Sequence, residues 1–435
     1  MQDISLGHGV GVIDPHGDLF QNLVARIALQ PEIWNKVVII DPCDPKWVVS
    51  FNPLEAIRGL AHERLSTFLT DVVSRIWNLD TTNSPRMVWL LANTFLALSN
   101  LGLTLLDLPR FLLDTDFREK LLDRLSNQEA RAYFLYEFPK SRAAAHQWVT
   151  PVLNKIGGLI FDPDLRLILA GDSGIDFRSI MDRGQILLVH LPKGIIGEGP
   201  SALLGAFIVA YLQKAALSRA DQSQRSSFYL YLDEFQNYTT DNIKDILSES
   251  RKYALSLILA HQYLDQLSTG LRNAVLNTAG TLVCFRVGYQ DASRLVREIF
   301  PSPDFLSTTT TNVVVNKIGN WPILALESQS KSLGWEGLAI ALTKLSRREF
   351  WVKQHGRQNP FKLRTQDMPN VILTTDVEEV KREFLDYSGR RFGRLKEEMR
   401  HEYATARLVT DERTNRHDVG KGNDAQDDGY SLWAS

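Results

Sequence analysis

The run Phe228-Tyr229-Leu230-Tyr231-Leu232 ends abruptly in two adjacent carboxylates, Asp233 and Glu234, followed by Phe235 and Gln236. An apolar, aromatic-rich run without alternation predicts a strand buried on both faces, as in a parallel sheet covered by helices. In such sheets ligands bind beyond the carboxyl ends of the strands, so Asp233 and Glu234 are expected to project into that crevice. The pattern is that of a Walker B segment. There the first carboxylate holds a magnesium ion and the second orients or deprotonates the water that attacks a nucleoside triphosphate. A solvated strand end or a helix N-cap gives the same pair, so the assignment leans on other segments.

Those segments alternate strand and helix. Gly9 to Asp14 reads as a strand, Pro15-His16-Gly17 as a turn, Leu19 to Leu29 as a helix, and Val37 to Ile40 as a second strand. Strand, helix and strand within about thirty residues make a βαβ unit. Asp14 and His16 sit where a ligand would bind, although turn and N-cap duties also account for the aspartate. Downstream, Gln185 to Leu191, Leu255 to Ala260 and Gly280 to Gly288 read as further strands of the same sheet, the second running into His261-Gln262. An amide there suits a sensor of the terminal phosphate or of the attacking water.

Between about Pro53 and Met181 the texture changes. Leu60 to Leu79, Arg86 to Leu101, Glu129 to Phe138 and Ala143 to Leu159 carry helical apolar spacing punctuated by prolines, which predicts a helical block inserted into the α/β domain. The expected division is residues 1–54, first part of the sheet domain; 55–181, all-helical insertion; 182–375, second part; and 376–435, a charged helical arm with a disordered tail. Arg390, Arg391, Arg394 and Lys396 concentrate positive charge in that arm.

Composition narrows the class. The formal net charge of −2 leaves any nucleic-acid contact to a local basic patch. The two cysteines, Cys43 and Cys284, form no metal or redox spacing and read as buried small hydrophobes of a reducing compartment. No apolar run reads as a membrane span, so a soluble cytosolic chain is expected.

Taken together, Val12 to Asp18, Phe51-Asn52-Pro53-Leu54, Tyr231 to Gln236, Ala260-His261-Gln262 and Phe285 to Gly288 resemble the type IV secretion coupling ATPases of the TraG/TraD kind, relatives of the FtsK and HerA DNA pumps. The resemblance covers roughly residues 9 to 370. It implies a RecA-like P-loop NTPase sheet, mostly parallel and three-layered, interrupted by an all-helical domain. By position it makes Asp233 the Mg ligand, Glu234 the catalytic base, Gln262 the phosphate sensor and Arg251 a finger reaching the neighbouring subunit's nucleotide. It implies ATP and Mg as cofactors. The partners it implies are DNA, relaxase and relaxosome proteins, further copies in a hexamer, and secretion-channel ATPases. The place it implies is cytoplasmic, at the inner face of the cell membrane through those partners.

One departure stands out. The sequence contains no G-x-x-x-x-G-K-[ST], the loop whose amides cradle phosphates and whose lysine contacts them, and Gly194 to Gly199 lacks the lysine and hydroxyl at the needed places. The expectation is an N-terminally shortened copy that binds ATP poorly alone. Two functions follow: an ATP-driven motor delivering DNA to a secretion channel, or a non-catalytic remnant serving as a DNA- or protein-interaction module.

Overall fold

A computed structural model describes residues 1–55, 61–79, 82–170, 174–238, 250–305, 334–367 and 375–403. Its centre is a five-stranded sheet built from β1 (Gly9–Asp14), β2 (Val37–Ile40), β4 (Ile186–His190), β5 (Phe228–Leu232) and β6 (Leu255–Leu259), in the order β2-β4-β1-β5-β6. Every pair in it is parallel. β1, β2 and β4 are buried at each position, which is why they read as unbroken apolar runs. This is the α/β sheet that the sequence predicts.

Helices cover the two faces. On one, Val10, Val12, Ile39 and Leu188 meet Phe20 and Val24 of the helix Asp18–Ala28 and Phe384 of the helix Thr375–Phe392. On the other, Ile13, Leu187, Val189 and Leu230 meet Leu204, Phe207 and Ile208 of the helix Glu198–Ser218. That helix is long and apolar enough to cross a membrane by length and composition alone, and 72% of its apolar window is buried inside the molecule, as in a core helix. β5 corrects one expectation. Tyr229 and Tyr231 are only half-buried, and the Tyr231 hydroxyl donates to Asp3 of the short helix Gln2–Ser5.

Between β3 (Trp47–Val48) and β4 the described residues are helical, including Pro85–Asn100, Arg142–Phe161 and a π-helical turn at Tyr133–Glu137. A single apolar core continues from the sheet into this region. At the joint, Phe51 packs edge-on against Phe177 and Tyr211, and the Tyr211 hydroxyl donates to the Pro53 carbonyl at 2.5 Å.

Among the remaining strands, one departs from the sequence reading. β7 (Thr281–Cys284) does not join the parallel sheet; it pairs antiparallel with β8 (Glu349–Gln354), which pairs antiparallel with β9 (Phe361–Arg364). Its residues alternate in exposure, as a half-covered antiparallel strand requires. The charged helical arm is docked on the rest of the chain, since Phe384, Ser388, Lys396 and Met399 are all buried. It closes through β10 (Arg394–Leu395), antiparallel to β3. The polar segment Ser307–Asn316 and the tail from 404 lie outside the described residues.

Candidate nucleotide-hydrolysis site

Four strand ends converge at the carboxyl edge of the sheet, contributed by β1, β4, β5 and β6. Asp14 closes β1 with 0% exposure, and both its oxygens are engaged by backbone: Oδ1 accepts from the His16 amide at 2.8 Å and Oδ2 from the Phe20 amide at 2.8 Å. Gly17, the N-cap of the following helix, has no side chain to satisfy those amides, so Asp14 does it from three residues upstream. The geometry thus gives Asp14 the turn and cap role. His16 is exposed on the turn that follows β1.

Asp233 follows β5 and is tied back to β1 by its own amide, which donates to the Ile13 carbonyl at 3.2 Å. Burial holds its carboxyl above the usual aspartate range, the neighbouring Asp14 and Glu234 carboxylates add to the shift, and His16 opposes it. Glu234 adopts a left-handed backbone (φ +47°), an uncommon conformation for a residue with a Cβ. It turns the side chain inward to 8% exposure. There Gln236 Nε2 donates to Oε2 at 2.6 Å and Gln262 Nε2 donates to Oε1 at 2.5 Å. The strand ends beneath are fixed by the Phe235 amide on the Ala260 carbonyl and the Ala260 amide on the Leu232 carbonyl, both at 3.0 Å.

Around this centre, the His261 ring sits edge-on to Phe235, and burial lowers its pKa from the ordinary histidine value, against the pull of Asp291 and Glu234. Tyr238 is buried below, its ring laid against Gly205 of the long helix. Arg251 falls in the short helical turn Ser250–Tyr253, and its side chain lies outside the described residues. The structure therefore gathers Asp14, His16, Asp233, Glu234 and Gln262 at one edge. Sequence reasoning missed Gln236, the second amide on Glu234; its signal was a polar residue two positions past the carboxylate pair.

A carboxylate raised in pKa chiefly by burial and then by two neighbouring carboxylates is a setting that a hard divalent cation relieves, so Asp233 fits an Mg ligand. For the phosphates, the sequence holds no G-x-x-x-x-G-K-[ST] loop. Gly194 to Gly199 forms the short helix Lys193–Ile196 and the start of the long one.

Solved structures similar to this fold include conjugative coupling proteins. TrwB in complex with ADP and Mg2+ superimposes with a TM-score of 0.52 at 14% identity, covering 86% of this chain and 82% of that one. The trigonal form of TrwBdeltaN70 with sulphate gives 0.52 at 15% identity over 86% and 82%, and TrwB with a non-hydrolysable ATP analogue 0.51 at 13% over 86% and 81%. The chain has the coupling-protein fold. At this identity the likeness establishes the fold. No protein-family model matches the sequence, and no curated protein does. The Asp233–Glu234 pair follows the carboxyl end of β5, the edge at which open α/β sheets bind their ligands.

Proposed function

We propose that this chain is a nucleotide-driven component of a conjugative DNA-transfer machine. In this reading Asp233 ligates Mg, Glu234 accepts the proton of the attacking water, and Gln262 holds that carboxylate in line and senses the terminal phosphate. One observation carries it: the Gln262 amide bridges to Glu234 across adjacent parallel strands, with Asp233 beside them. The bound metal would supply charge neutralisation for the phosphates. The protein's part is to present a carboxylate base already oriented by two amides. DNA, relaxase, further copies in a ring and secretion-channel ATPases are the partners of this reading, Arg251 is its finger toward a neighbouring subunit, and the cytoplasmic side of the membrane is its place. The solved relatives support it, being described as conjugative coupling proteins and as complexes with ADP and Mg2+.

A second reading, a non-catalytic DNA- or protein-interaction module, is favoured by the absence of a G-x-x-x-x-G-K-[ST] loop from all 435 residues. Calorimetric titration of the full chain with Mg and ATP separates the two. Micromolar binding supports the hydrolytic reading, because another segment then cradles the phosphates. No heat at millimolar ATP removes nucleotide turnover from the chain alone and leaves the module.

A further inference from the structure

On the opposite side of β1 from Glu234, the ends of β2 and β4 bring together a mixed set of donors that the nucleotide chemistry does not use. His190, the last residue of β4, places Nδ1 2.9 Å from Asp41 Oδ1 in the loop after β2. Cys43 lies two residues further along that loop, and the Asp41 oxygen, His190 nitrogen and Cys43 sulfur all fall within 4.8 Å of one another. We propose that Asp41, Cys43 and His190 bind a thiophilic divalent transition-metal ion of the zinc class, with the fourth coordination position left to water.

The donor chemistry selects the ion. One thiolate, one imidazole and one carboxylate suit zinc-like ions and not magnesium or calcium, which take oxygen ligands. Two anionic ligands balance the dication, the thiol proton leaving to solvent and the imidazole proton moving from Nδ1 to Nε2.

The surroundings already orient the donors. The His190 ring stacks on Phe20, with centroids 4.6 Å apart and planes 5° off parallel. Its Nε2 edge faces Gly17, where a Cβ would come within 2.7 Å of the nitrogen. The Cys43 amide donates to Asp41 Oδ1 at 2.9 Å, which fixes the loop, and the Lys396 ammonium grips the intervening Pro42 carbonyl at 2.8 Å. The side chains of His190 and Asp41 are 8% and 14% exposed, so the ion would enter from the Cys43 side, which is half-open. Ligand atoms about 2.0–2.3 Å from a tetrahedral ion stand roughly 3.3–3.7 Å apart, so an ion here would open the 2.9 Å His190–Asp41 contact slightly and draw the Cys43 sulfur within that spacing of both. A metal here would clip β2 to β4 and brace the Gly17 turn.

The test is Co2+ titration of the metal-stripped full chain. The expected result is one equivalent bound with tetrahedral visible bands and a thiolate-to-cobalt charge-transfer band, displaced by Zn2+ and indifferent to excess Mg2+. Cys43→Ser should abolish the charge-transfer band, and Asp41→Asn should weaken binding at least about tenfold while keeping an acceptor for the Cys43 amide. Cys284→Ser should change nothing. Absence of the charge-transfer band from the unaltered chain, or its survival in Cys43→Ser, overturns the proposal. Circular dichroism on each variant separates lost ligation from lost fold.

Discussion

Gln262 Nε2 donates to Glu234 Oε1 at 2.5 Å, joining the ends of two neighbouring parallel strands through a side-chain amide and a carboxylate. With Gln236 on the other oxygen at 2.6 Å, the Glu234 carboxylate is held in one plane at the sheet edge before any ligand arrives. Such pre-orientation matters for a base, because reorganisation at the moment of reaction adds to the barrier.

Glu234→Gln keeps the size of the side chain and removes the base. In an assembly that turns over nucleotide, hydrolysis should fall by about 10²–10⁴-fold while nucleotide binding is retained. Phosphate release measured beside nucleotide affinity checks this, and unchanged turnover would take Glu234 out of the chemistry.

Asp233 gives a pH signature. Its folded pKa is raised, chiefly by burial and then by Asp14 and Glu234, so the folded state holds the proton more tightly than the unfolded state does. Stability therefore falls as pH rises from the ordinary aspartate value, about 3.9, through the raised one, and the penalty is fully present above it. Asp233→Asn should be more stable than the unaltered chain at neutral pH, with the gap closing in acid. Mg2+ should raise the melting temperature of the parent chain and not of the variant. Urea unfolding at several pH values would refute the account if the gap were independent of pH.

Gly205 lies against the Tyr238 ring, and a Cβ there would overlap ring atoms that cannot swing away inside the core. Gly205→Ala should destabilise by about 1–3 kcal/mol. In a Tyr238→Leu background the cost should shrink, since the two effects share one contact. A double-mutant cycle in denaturant that found simple additivity would contradict this origin.

What the sequence made legible was whatever depended on local pattern. β1, β2, β4 and the carboxylate pair after β5 announce themselves because burial on both faces demands continuous apolar residues and strand ends carry the polar ones. β7 was misplaced because Thr281–Cys284 is as apolar as a central strand, while its partner β8 lies more than sixty residues on and only pairing reveals the antiparallel sheet. The docking of the charged arm was not legible for a related reason: its i,i+4 charges, such as Asp386 with Arg390, dominate the pattern, whereas docking rests on a few residues such as Phe384 and Ser388. Asp14 and Gln236 show the limit for the site. A carboxylate that caps a turn and one that meets a ligand occupy the same sequence position, and only the two backbone amides on Asp14 tell them apart.

Lys396 and Arg400 both reach Asp164 Oδ1 at 2.9 Å, yet they should differ sharply on removal. The Lys396 side chain is 3% exposed and also donates to the Pro42 carbonyl at 2.8 Å, so it ties the chain's last described segment to the β2 loop and to the helix Pro163–Leu169 at once. Truncation to Ala strips that carbonyl of its donor and opens a gap where the aliphatic stem packed. Because Asp164 is partly solvated, the cost is about 1–3 kcal/mol rather than that of breaking a fully buried pair. Arg400 is 51% exposed, and its removal should cost less than about 1 kcal/mol. Chemical denaturation of Lys396→Ala and Arg400→Ala side by side measures the contrast. Equal losses would mean that the clamp is the shared ion pair with Asp164 and not the buried contact with Pro42.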